Sequence, residues 1–152
     1  MTLASRRRLL KAIDVAAVRR AIEEAERRTS GEIRVSLSLF FWGRVRKVAE
    51  RAFARLGMTA TKDRNGVLFF IVPSRRRFVV LGDDGIHGKV GQEFWEGVAA
   101  SMADDFRKGD FTAGLIRGIQ EAGAQLAAHF PYDPATDRNE LPDDIDLGGR
   151  GR

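Results

Sequence analysis

Three aspartates carry the most pointed chemistry in this 152-residue sequence: Asp63 in the segment Asp63-Arg64-Asn65-Gly66, and Asp83 and Asp84 in Gly82-Asp83-Asp84-Gly85. Between the two acidic segments lies an unbroken apolar run, Val67-Leu68-Phe69-Phe70-Ile71-Val72. A polar turn, Pro73-Ser74-Arg75-Arg76, leads from it into Arg77-Phe78-Val79-Val80-Leu81. This pattern predicts an antiparallel hairpin, its first strand covered on both faces. Closing the hairpin sets residues 82–85 beside residues 63–66, so the carboxylates meet at one end of a sheet, among glycines that permit tight turns. Oxygen ligands without His or Cys favour a hard cation, calcium or magnesium, and calcium tolerates irregular geometry better. Asp, Asn and Gly are also ordinary turn residues, and on spacing alone both readings stand. The twelve-residue EF-hand pattern is absent.

The elements that must position these acids follow from periodicity. Asp14 is a plausible N-cap for a helix to about Arg28, with Val15, Val18, Ile22 and Ala25 on one stripe. Ile33, Val35, Leu37, Leu39 and Phe41 alternate with Arg34, Ser36, Ser38 and Phe40, which predicts a strand over 33–41. A second helix starts at Arg44, buries Val45, Val48, Ala49, Ala52, Phe53 and Leu56, and is capped by Gly57. Strand, helix, strand implies a right-handed parallel crossover. That places Glu32 at the same sheet end as the aspartates, as a candidate fourth ligand.

A third helix is expected from about Gly91 to Lys108, with Phe94, Trp95, Val98, Ala99, Met102 and Phe106 as its core stripe. Its N-terminus would emerge beside Asp84 and could hold an anion such as phosphate. Asp110 or Thr112 opens a fourth helix to about Phe130, in which Gly114 and Gly118 permit close packing. The expected fold class is α/β: a three-layer α/β/α sandwich with a mixed sheet, a βαβ crossover, then a hairpin and two C-terminal helices. Residues 12–131 form one domain, and residues 132–152 an acidic, largely flexible tail in which Leu141 and Ile145 could dock.

Other chemistry is poorly supported. His87 follows the acidic loop and could assist proton transfer or simply be exposed. His129 falls in the last helical turn, where a cation complements the helix dipole. Ser74 and Ser101 have no acid–base partners in the pattern, which argues against a nucleophilic triad. Gly82 and Gly85 lack the third glycine and the strand–turn–helix context of a dinucleotide site. Arg75-Arg76-Arg77 falls at the opposite sheet end from the acids and suits solubility or a partner surface.

No cysteine is present, which excludes disulfides, thiol nucleophiles and thiolate metal sites. No apolar run approaches the ~20 residues of a membrane helix, and Met1–Val15 is basic without the apolar core of a secretory signal. A soluble, cytoplasmic and monomeric protein is expected. Residues 1–62 hold 15 Lys/Arg against 6 Asp/Glu. Yet Glu23–Arg27 and Glu24–Arg28 stand at i, i+4 and neutralise part of that field. No aromatic residues lie among these arginines, so no specific nucleic-acid binding is expected.

Thr29–Val35 (TSGEIRV), Arg55–Gly66 (RLGMTATKDRNG), RNGVLFFIVP, VVLGDDGIH, FWEGVAASMADDFRKGDFTAGLIRGI and HFP…NELPDDI together resemble the TPM domain family. The resemblance covers roughly residues 12–145 and points to a short bacterial subgroup without the membrane anchor of other members. It implies an α/β/α sandwich that binds divalent metal, with phosphatase activity claimed for some members. On this footing Asp83, Asp84, Asp63 and Glu32 are the expected ligands of calcium or magnesium. The expected role is a non-enzymatic binding module that maintains protein or membrane complexes. The alternative is a metal-dependent phosphatase acting on phosphomonoesters, the metal neutralising phosphate charge and activating water.

Overall fold

The run from Val67 to Val72 does what its composition demands. In a computed structural model of the chain, which describes residues 2–135 and 145–148, it lies in a strand buried at every position. The order is α1 (Leu3–Lys11), α2 (Val15–Glu26), β1 (Glu32–Leu37), α3 (Val45–Arg55), β2 (Gly66–Val72), a 3-10 turn (Pro73–Arg75), β3 (Arg77–Gly82), α4 (Asp84–Arg107) and α5 (Phe111–His129). The three strands stand in the order β1-β2-β3. β1 pairs parallel with β2, Ile33 opposite Val67 and Leu37 opposite Ile71. β2 pairs antiparallel with β3, Val67 opposite Gly82 and Val72 opposite Arg77. The α/β fold with its parallel crossover, hairpin and two C-terminal helices is therefore as the sequence implies.

Alternation along β2 divides the core into two layers. Val67, Phe69 and Ile71 join Val18, Ile22, Trp95, Met102, Phe106, Leu115, Ile119 and Leu126, from α2, α4 and α5. Leu68, Phe70 and Val72 face the opposite way and pack with Val45, Ala49, Ala52 and Met58, on and beyond α3. The expected close approach of α5 is real. A Cβ on Gly118 would stand 2.6 Å from Met102 Sδ and 2.8 Å from Phe69 Cε2, so only glycine lets this helix sit on α4 and the sheet at this depth.

Four features depart from the sequence reading. An additional helix, α1, precedes Asp14 and buries Leu9 in the larger core cluster. The strand expected over 33–41 ends at Leu37. Beyond it Leu39 packs against one core cluster and Phe41 against the other, while Phe40 and Trp42 are exposed. Ser38 N still donates to Ile71 O at 2.9 Å, but β2 ends at Val72 and turns at Pro73, so from Leu39 on the chain has no strand of β2 beside it. A helical segment from Asp84 precedes the expected third helix, and the two are separated at Gly91, whose φ 79° and ψ 171° are not helical. A positive φ costs glycine little, so Gly91 lets the chain leave the first segment and open the second near where that helix was expected to start.

The fourth departure concerns the tail. Ile145 packs against the larger core cluster, as the sequence allowed, but so does Leu147 beyond it, where composition suggests flexibility. Asp146 lies alongside the outer edge of β1: Leu37 N donates to Asp146 O at 2.7 Å and Asp146 N to Val35 O at 2.9 Å. Its carboxylate accepts from buried Ser36 Oγ at 2.8 Å and from both terminal nitrogens of Arg55. Burial alone would push this carboxyl up. The Arg55 and Ser36 hydrogen bonds, the Arg55 charge and the Gly148 amide outweigh burial and hold its pKa below the ordinary value. The segment blunts an edge that would otherwise present unpaired backbone groups. Leu141, expected to dock with Ile145, lies outside the described residues.

Candidate functional site

The hairpin register brings the two acidic segments together as expected, and two backbone bonds fasten them. Asp83 N donates to Gly66 O at 2.9 Å, and Gly85 N to Arg64 O at 2.8 Å. The approach is so close that a Cβ on Gly85 would lie 2.0 Å from Asp63 O and 2.5 Å from Arg64 O. Glycine at position 85 is thus a requirement of this corner rather than of a turn. Close packing also demands glycine at position 82, where a Cβ would meet Trp95 Cζ2 at 2.2 Å.

The carboxylates are deployed differently from one another. Asp83 is only 4% exposed in its side chain and serves as N-cap of α4, its Oδ1 accepting from Asp84 N at 2.8 Å. The same carboxylate is gripped by Arg64, Nε donating to Oδ2 at 2.6 Å and Nη2 to Oδ1 at 2.8 Å. This fork is the strong geometry for a guanidinium on a carboxylate. The Asp83 hydrogen bond and charge, with a smaller contribution from Asp84, raise the Arg64 pKa above its already high ordinary value. Arg64 holds its cation at every working pH. It adopts a left-handed backbone, φ 52°, which is uncommon for a residue with a Cβ, and its carbonyl receives both Gly85 N and Ile86 N.

Asp84 is 89% exposed, with Oδ2 3.6 Å from Arg64 Nη2. Asp63 is exposed on the preceding turn, and Glu32 is buried at the start of β1, where its N–H donates to Asn65 O at 3.4 Å. The fold thus gathers Asp83, Asp84 and the Asp63 backbone around Arg64, with Glu32 in the interior. Among the described residues no three His, Cys, Asp or Glu side chains converge as metal ligands do.

Those placements bear on whether the residues fit a divalent cation. Their chemistry does, being all hard oxygen, and Asn65 adds a buried Oδ1 with no hydrogen-bond partner at the same sheet end. Their arrangement puts the Arg64 guanidinium where a cation would neutralise Asp83 and Asp84. A divalent ion held by Asp83, Asp84 and Asp63 must take the place of that guanidinium.

Sequence reasoning missed Arg64, although an arginine inside an acidic turn is the available signal. It also missed that Asp83 is a cap, because a helix was expected to start only at about Gly91. His87 is engaged: its Nδ1 accepts from Trp95 Nε1 at 3.0 Å across the kinked helix. Arg75, Arg76 and Arg77 fall at the far end of the sheet, as expected, with the Arg75 guanidinium 5.5 Å above the Phe41 ring. No helix among the described residues is long and apolar enough to cross a membrane.

Comparison with known proteins adds context. The family model of the TPM domain matches residues 5–125. Among solved structures, the NMR structure of the BA42 protein from the psychrophilic bacterium Bizionia argentinensis is 37% identical, with a TM-score of 0.82, over 91% of this chain and 94% of that one. The N-terminal domain of the cg2496 protein from Corynebacterium glutamicum is 11% identical with a TM-score of 0.56, covering 90% and 80% of the two chains. The N-terminal domain of a protein from P. gingivalis is 18% identical with a TM-score of 0.57, covering 88% and 82%. The last two likenesses are of fold alone. No curated protein sequence matches.

Proposed function

The chain belongs to the TPM domain family, and on that basis we propose that it is a cytoplasmic, monomeric binding module without turnover, and that calcium or magnesium enters its acidic corner in exchange for the Arg64 guanidinium. The partner is a protein, in keeping with a maintenance role for a larger complex. The observation that carries this reading is the state of Asp83. Both of its oxygens are committed, one to Arg64 and the other to Arg64 and the helix amide. A carboxylate so bound is a structural member and a poor general base. Exposed Asp84 and Asp63 beside it leave a cation-responsive surface, and Arg64, 45% exposed in its side chain, has water to swing into. Exchanging one cation for another keeps Asp83 neutralised while rearranging the turn at 63–66, which is how metal would alter a binding face.

The phosphatase alternative requires the same corner to hold metal and also present a base. The nearest histidine, His87, has its Nδ1 occupied by Trp95. The test is a calcium and magnesium titration of the chelator-treated protein, followed by amide NMR, alongside a phosphomonoester assay. Shifts confined to residues 63–66 and 83–86, with no turnover, are expected. Turnover that disappears in Asp83→Asn would establish the enzyme instead, and amide shifts indifferent to both metals would remove the cation from the function.

A further inference from the structure

The end of the sheet opposite the acids carries the largest exposed hydrophobic side chain in the described residues. Trp42 is 80% exposed and Phe40 53% exposed. Their rings meet edge to face with centroids 6.1 Å apart. The loop that holds them out is firmly built. Leu39 and Phe41 point inward to the two core clusters, and Ser38 Oγ donates to Phe40 O at 2.9 Å. Ser74 Oγ, in the hairpin turn, donates to Leu39 O at 2.6 Å, and Arg75 stacks over Phe41. Because β1 and β2 run parallel, the β1–α3 loop and the hairpin tip must share this end.

Around the aromatic pair the charge is one-sided. Residues 38–50 and 73–77 contain Arg44, Arg46, Lys47, Arg75, Arg76 and Arg77, against the single carboxylate Glu50. All six cations are exposed, although Arg76 turns toward α4, its Nη1 donating to Arg107 O at 2.8 Å. Arg46 and Lys47 share Glu50, at 3.5 and 3.9 Å, on the solvent side. The N-terminus of α3 faces the same way, and its cap residue Arg44 makes no side-chain hydrogen bond to it, so the positive end of the helix dipole adds to the field. Burying an exposed Trp and Phe is favourable in any apolar medium. A tryptophan flanked by phenylalanine, with arginine and lysine in the same two loops, is the composition that settles at a bilayer interface, ring at headgroup depth and cations on the phosphates.

We infer that the Phe40–Trp42 tip with its arginines and lysine is a docking surface for an anionic lipid bilayer. The surface is peripheral, since only two side chains can enter. It stands at the opposite end of the sheet from Asp83, so a membrane-bound molecule presents its acidic corner away from the lipid. The inference does not depend on metal binding at that corner.

The experiment uses the full chain with vesicles of pure phosphatidylcholine, and with vesicles containing about a third phosphatidylglycerol. Sedimentation and tryptophan emission are read together. The chain has two tryptophans and Trp95 is 5% exposed, so a shift on binding reports Trp42. Binding to the anionic vesicles alone is expected, with a blue shift in emission, and about 0.5 M salt should release the protein. Arg46→Gln with Lys47→Gln should weaken partitioning on the order of tenfold or more, as two interfacial cations do. Trp42→Ala should abolish the blue shift and weaken binding while far-UV circular dichroism stays unchanged. Equal partitioning to both vesicles, undiminished binding by Trp42→Ala, or tighter association with single-stranded nucleic acid than with anionic vesicles at the same salt would each overturn the inference.

Discussion

Replacing Asp83 and Arg64 singly and together distinguishes a structural ion pair from a surface ornament. Asp83→Ala removes the α4 N-cap, a loss of about 1–2 kcal/mol. It leaves no buried charge behind, because Arg64 is 45% exposed in its side chain and hydrates readily once released. In a domain of this size that corresponds to a fall in Tm of roughly 2–8 °C. Arg64→Ala acts on the other partner with a different result. The Asp83 carboxylate, only 4% exposed, keeps the Asp84 amide but loses its fork, and a buried charge that loses its counterion is the costly case. Arg64→Ala should therefore lower Tm more than Asp83→Ala does. In the Asp83→Ala background it should cost little, a strong departure from additivity. Excess calcium should raise the Tm of Arg64→Ala more than that of wild type, since the vacated place then accepts a cation. Thermal unfolding with and without calcium reads all of this. Equal cost of Arg64→Ala in both backgrounds, with no calcium response in either, would refute the reasoning.

Four further outcomes can be checked. The Asp146 pKa is lowered below 3.8 in the folded chain, so its stabilisation is complete above that value and disappears as pH falls through the lowered one. The protection of the Leu37 and Asp146 amides against hydrogen exchange, taken relative to the intrinsic rate at each pH, should fall on acidification below about pH 4, and in Asp146→Asn it should already be lower at neutral pH. Gly85→Ala forces a methyl against the Asp63 and Arg64 carbonyls and should cost at least about 1–3 kcal/mol in urea denaturation. Gly88→Ala, on the same helix with nothing within 4 Å of the added Cβ, should stabilise by up to about 1 kcal/mol. His87→Ala should leave Trp95 Nε1 without its acceptor and change the emission of that buried tryptophan, with little effect on any cation titration.

Features whose signal is local were legible before any folding. Six consecutive apolar residues at 67–72 require cover on both faces, and a polar turn followed by Arg77–Leu81 requires a hairpin. The stripe Val15–Val18–Ile22 and the stripe Val45–Ala49–Ala52 each have one buried side. From these, the parallel crossover and the meeting of residues 63–66 with 82–85 follow by topology alone. The features that were not legible depend on partners far along the chain. β1 ends at Leu37 because β2 has turned at Pro73, in a different element altogether. Asp146 meets Ser36 on β1 and Arg55 on α3, separated from it by 110 and 91 residues. Arg64 and Asp83 are 19 residues apart, and an arginine among aspartates reads equally as solvated charge or as a clamp. Periodicity fixes which way a side chain faces relative to its own element. Which group it then meets is set by how the elements dock, and here docking placed the chain's own guanidinium among the acids that were expected to hold a metal.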